Sequence, residues 1–141
     1  MRILFTLITT LFFIISIRAQ YIITTNPKCV AALEEKSQRG DPSLNTAINF
    51  IETAKKGSYN QWHSLLSKEC NNETQGPKTK EWWHYLSKEL FNYYIIAEQR
   101  INATENKIVY FKSQTNSGKE KILKVKVIRE NNEWKVQSLE L

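Results

Sequence analysis

This chain has little of what holds a metal. In 141 residues there are two cysteines, Cys29 and Cys70, and two histidines, His63 and His84. No two of these four stand at the close spacing of a zinc-binding loop, so neither a metal site nor a cofactor is expected. No cysteine directly follows the N-terminal apolar run, as a lipid-bearing cysteine at a cleavage point would. Internal repeats and low-complexity tracts are absent. The net charge of +6 is too modest to indicate nucleic-acid binding, so no nucleic-acid partner is expected.

What is present begins with a targeting signal. Arg2 supplies a positive start, and Ile3 to Ile17 form an uncharged apolar or Thr/Ser run ending at Arg18, Ala19 and Gln20. About 15 residues make roughly 22 Å of helix, short of the roughly 30 Å of a bilayer core. Residues 1–19 therefore read as a cleaved signal peptide, with Ala19 as the small residue at the cut. The alternative is an uncleaved N-terminal anchor. Cleavage predicts a secreted or periplasmic protein with no stable membrane span. It leaves about 120 residues, enough for one domain with a real core. Loss of Arg2 and Arg18 lowers the charge to about +4. In an oxidising compartment Cys29 and Cys70 read most simply as one disulfide; its loop of about 41 residues would stabilise the fold by roughly 4 kcal/mol. Buried free thiols and intermolecular pairing are the alternatives.

The mature chain divides into a helical half and a strand-rich half. Residues 20–40 form an N-terminal segment with a short helix, capped by Asn26, started by Pro27 and stopped near Gly40. Asp41 and Pro42 open a second helix, with Leu44, Ala47, Ile48, Ile51 and Ala54 at helical spacing and Gly57 as its stop. Ser58 with Gln61 reads as a capping box for a third. A fourth is expected from about Thr79 to Leu90. Four strands follow, near 93–101, 107–115, 120–129 and 133–139, joined by short Asn- and Gly-containing turns. The fold class is therefore α+β, with N-terminal helices packed on one face of a curved four-stranded antiparallel sheet.

Alternation assigns Tyr93, Ile95, Ala97, Val109, Phe111, Leu123, Val125, Val127, Trp134 and Val136 to the inner face. Gln99, Ser113 and Ser138 join Tyr93 as its polar groups. The outer face then carries Tyr94, Glu98, Arg100, Tyr110, Lys112, Lys124, Lys126 and Lys135.

Residues 41–141 resemble a small nuclear-transport-factor-2-like domain, a cone of helices over a curved sheet. The matching features are the helix Thr46-Ala-Ile-Asn-Phe-Ile-Glu-Thr-Ala54, then Lys55-Lys-Gly57, Tyr59-Asn-Gln-Trp62, and the closing Asn131-Asn-Glu-Trp-Lys-Val136. The resemblance implies a pocket between sheet and helices. The fold hosts isomerases, dehydratases, hydrolases and binding modules, so it implies a place and no chemistry. Tyr59, Trp62, His63, Trp83, Tyr93, Gln99 and Trp134 are the candidate pocket residues. The helix opened by Asn26 and the cysteine pair depart from the family's usual pattern.

Acid–base chemistry has weak candidates. His63 and His84 each follow a tryptophan on a predicted helix, at the border of the apolar stripe, and neither has a partnered carboxylate or nucleophile in the pattern. No catalytic residue is therefore assigned. Asn72-Glu-Thr and Asn102-Ala-Thr are glycosylation sequons in loops. The leading expectation is an exported non-catalytic binding or interaction domain, taking a small apolar ligand in the pocket or a protein partner. A pocket enzyme using His63 or His84 and a secreted inhibitor or immunity-type protein are the alternatives.

Overall fold

The computed structural model describes residues 27–71, 76–101 and 104–141. The signal segment, residues 20–26 and the sequon asparagines Asn72 and Asn102 lie outside the described residues. Helix α1 spans Pro27–Gln38, α2 Pro42–Lys55 and α3 Tyr59–Ser64; a 3-10 turn covers Lys68–Asn71. Helix α4, Gly76–His84, runs into a π-helical turn at Tyr85–Glu89. Strands β1 (Leu90–Arg100), β2 (Lys107–Thr115), β3 (Glu120–Glu130) and β4 (Glu133–Glu140) form an antiparallel sheet in the order β1-β2-β3-β4. The expected α+β class is correct. No helix of the described residues is long and apolar enough to cross a membrane.

Local chemistry explains most boundaries. The Asp41 carboxylate accepts from Ser43 N at 3.0 Å and Leu44 N at 3.2 Å, satisfying amides that α2 leaves unpaired, and Pro42 needs no such partner. Gly57 stops α2 at φ 74°, a left-handed conformation that a side chain would strain. Asn131 and Asn132 take φ of 51° and 64°, the geometry of a tight two-residue hairpin turn. The capping box is a correction: the Ser58 side chain makes no capping bond, and α3 starts from its carbonyl, which accepts from Trp62 N at 2.9 Å. Helix α4 gives way to the π turn, so β1 begins at Leu90, earlier than the periodicity predicts.

The core forms where α2 packs across β2, β3 and β4, while α1 packs against β1. Leu44, Ala47, Phe50, Ile51 and Ala54 from α2 are fully buried, as are Val109, Phe111, Leu123, Val125, Val127 and Val136 from the sheet. Each large member stabilises the fold by about 1.5–3 kcal/mol relative to exposure.

Of three register shifts in the sheet, two move residues that alternation assigns to the inner face. One falls between Ile95 and Ala97, where β1 carries an extra residue opposite β2. Because side chains alternate with period two, one inserted residue exchanges the faces beyond it. Glu98 consequently pairs with buried Val109, and Gln99 with Ile108. This reverses the sequence expectation: Glu98 belongs to the buried face, and Gln99 lies on the open face, where it accepts from the Tyr110 hydroxyl at 2.6 Å. The second shift leaves Gln137 as the extra residue of β4; Ser138 pairs with Lys126 and Leu139 turns inward. Ser138 is therefore not an inner-face polar group.

Candidate functional site

Helix α3 supplies Tyr59, Trp62 and His63, helix α4 supplies Trp83, and Phe50 reaches them from α2. Trp62 stacks on Phe50 with centroids 5.4 Å apart and meets Trp83 at 5.2 Å. Tyr59 sits 5.0 Å from Trp83, 5.6 Å from His63 and 5.9 Å from Trp62. These are contact distances for aromatic pairs, and Trp62 is 0% exposed. The space the rings would have lined as a pocket is filled by the rings themselves. Trp62 Nε1 is buried there without a hydrogen-bond partner.

The other three candidate pocket residues stand apart. The Tyr93 hydroxyl donates to Glu52 of α2, and its ring lies edge-on to Phe111 at 5.8 Å. Trp134 is partly buried against the core from β4, and Gln99 is exposed. The structure thus joins Tyr59, Trp62, His63 and Trp83, and separates Tyr93, Trp134 and Gln99 from them. Glu52 was not singled out in the sequence; its place three turns into α2, beside the stripe of core residues, is the signal that could have found it. Burial, then the Glu52 bond and charge, push the Tyr93 phenol well above its ordinary value, so it stays a protonated donor and is unsuited to act as a base.

The histidines do not meet in a cleft. His84 is exposed, with Nε2 3.4 Å from the exposed Glu89 carboxylate. His63 is half-buried and stacks on Tyr59. Among the described residues no cluster of His, Cys, Asp and Glu could hold a metal ion.

Cys70 is a buried free thiol, and no cysteine pair stands at disulfide distance among the described residues. Its Sγ donates to Gln137 O at 2.8 Å, the carbonyl of the extra residue in β4. Helix α1, which carries Cys29, packs against β1, the opposite edge of the sheet. The Cys29 side chain lies outside the described residues, and with it the expected Cys29–Cys70 bridge. Burial, followed by the charges of Glu69 and Glu130, raises the Cys70 thiol against the opposing bonds from Ser67. It is a poor nucleophile, although it lines an open groove of about 640 Å³ with Glu69, Glu81, Trp82, Lys126 and Leu141.

Charge is distributed unevenly. On the open sheet face Lys112 pairs with Glu120 at 3.4 Å, Lys124 with Glu140 at 2.9 Å and Lys135 with Glu133 at 3.2 Å. The basic outer face expected from alternation is therefore largely neutralised. At the end holding the β1–β2 connection, Lys107 lies 3.3 Å from Glu98 and 3.5 Å from Asp41, while Lys36 lies 2.6 Å from Glu98 and 3.5 Å from Asp41. Burial pushes the Asp41 carboxyl up, but the Ser43 and Leu44 hydrogen bonds and the two lysine charges outweigh it and hold the pKa at about 2. This network ties α1, α2, β1 and β2 together. A second cleft, of about 360 Å³, opens between the π turn and the β2–β3 hairpin.

No protein-family model, no curated protein and no solved structure matches this chain.

Proposed function

We propose that this is an exported, non-catalytic binding or interaction domain of nuclear-transport-factor-2-like form that engages its partner through its surface. The observation that carries this reading is the solid packing of the expected pocket. Trp62 is 0% exposed beneath Phe50, Tyr59 and Trp83, so a small apolar ligand would have to displace core aromatics to enter. The separation of Tyr93 and Trp134 from that cluster supports the same choice. Neither the 640 Å³ groove nor the 360 Å³ cleft is lined by Tyr59, Trp62 or Trp83.

Native mass spectrometry of the mature protein from its own secretion compartment tests this. A mass beginning at Gln20, alone or with a second polypeptide and without a small-molecule adduct, is the expected result. A stoichiometric apolar adduct would overturn the surface reading, and retention of residues 1–19 would overturn export. The same spectrum reads the cysteines, since a bridge removes about 2 Da and free thiols leave the full mass.

A further inference from the structure

The lysines at the end of the sheet away from the Asp41–Glu98 network have a different character. Lys88, Lys119 and Lys121 are exposed, line the 360 Å³ cleft, and make no ion pair with a described residue. The cleft contains a single carboxylate, Glu89, whose side chain lies 3.4 Å from His84. Among the described residues, the lining of this concavity thus holds three lysines to one carboxylate.

The walls of the cleft are held in place. Asn116 clips the hairpin to the π turn, its side-chain amide donating to Lys88 O and its backbone N to Glu89 O, both at 2.9 Å. Across the hairpin Thr115 N donates to Lys119 O at 2.8 Å, and the Thr115 hydroxyl accepts from Lys119 N at 3.1 Å and lies 2.9 Å from the Ser117 hydroxyl. Lys121 Nζ rests 5.3 Å from the Tyr85 ring centroid. An aromatic face attracts an ammonium without cancelling its charge, so Lys121 is positioned and still available. The Tyr85 ring is fixed in turn by its hydroxyl, 3.1 Å from that of Ser113.

We infer that this cleft binds a multiply charged oxyanion, a sulfate or phosphate ester carried on a small polar ligand. Three lysines lining one concavity suit a tetrahedral anion with several acceptor oxygens. The volume lies at the small end of ligand clefts, about 300–1,000 Å³, which fits one charged group with a ring attached. The inference rests on the surface-binding reading and gives that surface a location and a ligand chemistry.

The test uses the mature full chain, titrated with inorganic sulfate, inorganic phosphate, a sulfated disaccharide and a phosphorylated monosaccharide. Backbone amide shifts would be followed by NMR. Saturable shifts confined to residues 88–89 and 115–121 are expected, weakening as salt rises because exposed charges are screened. Lys119→Gln/Lys121→Gln should weaken binding by about tenfold, since two charge-assisted bonds in a half-open cleft are lost. Lys124→Gln, on the open face beside Glu140, should change it less than about twofold. A preference for the sulfated or the phosphorylated sugar assigns the source of the oxyanion. Unsaturable shifts, or equal losses in Lys124→Gln and the double variant, would overturn the proposal. Polypeptide capture measured by native mass spectrometry with the double variant keeps the two readings apart. If capture persists while oxyanion binding is absent, the surface reading stands and the oxyanion cleft falls.

Discussion

The two ends of the sheet treat the same residue type in opposite ways. At the end with the β1–β2 and β3–β4 connections, Lys36 and Lys107 share Asp41 and Glu98, and Arg129 pairs with Glu105. At the other end, Lys88, Lys119 and Lys121 have no carboxylate partner among the described residues, and Lys55 bonds to a backbone carbonyl, Phe91 O, at 3.0 Å. Burial accounts for the pairing of Lys107. The Lys107 side chain is 9% exposed, and an ammonium taken out of water must be paired or the fold loses several kcal/mol. The exposed lysines keep their water and require nothing. Pairing at the first end is a condition of folding; its absence at the second leaves charge free for a partner.

The largest expected effect comes from removing an acceptor at the paired end. Glu98→Ala leaves Lys107 facing Asp41 alone and strips Lys36 of its 2.6 Å bond. Breaking a buried pair by deleting one partner costs about 3–5 kcal/mol; Glu98 retains some exposure, so about 2–3 kcal/mol is expected in urea denaturation. Lys119→Ala should stay within about 0.5 kcal/mol. Equal effects at the two ends would remove the contrast.

Acid offers the next, smaller effect. The Asp41 pKa is depressed from 3.8 to about 2, so its contribution is fully present above the unfolded value near pH 4. That contribution is lost as pH falls through the folded value near 2. About 1–2 kcal/mol of stability should disappear across that window after allowing for partial exposure. Thermal unfolding of Asp41→Asn should lack this pH-dependent component; an unchanged acid profile would show that Asp41 is not the group responsible.

How much of this contrast could be seen in the sequence depends on how local its causes are. Asp41-Pro42, Gly57 and Asn131-Asn132 act within a few residues, and each places a cap, stop or turn where the structure has one. Glu98 fails the same treatment, because its face is set by an extra residue in β1 and alternation assumes there is none. The adjacent pair Ile95-Ile96, both buried, is the local sign of that bulge, since strict alternation would expose one of them. One partner of Glu98 was not legible at all: Lys36 is 62 positions away, and no spacing rule reaches that far. The lysine cleft was hidden for a related reason. Lys88 precedes the sheet and Lys119 lies in a hairpin, and the pairing of Leu90 with Thr115 together with the Asn116 clip brings them to one site. Of the candidate pocket residues, Tyr59, Trp62, His63 and Trp83 do meet, but residue spacing cannot distinguish rings lining a space from rings filling it.

The smallest effect is also the one that separates the two ends most directly. Unpartnered lysines facing one cleft repel each other, and two unit charges several ångströms apart in water interact by a few tenths of a kcal/mol. Lys88→Gln/Lys119→Gln, which leaves Lys121 on the Tyr85 ring, should therefore be about 0.3–0.5 kcal/mol more stable than the parent at roughly 0.01 M salt, where screening extends to about 30 Å. At roughly 1 M salt, with screening near 3 Å, the two should be equally stable. The paired end predicts the reverse sign for Glu98→Gln, whose deficit would persist in salt because Lys107 is buried. Thermal melts of both variants at the two salt concentrations decide the matter. If the lysine variant gains nothing at low salt, the charges at that end are already compensated, and the cleft would have no surplus charge to offer an oxyanion.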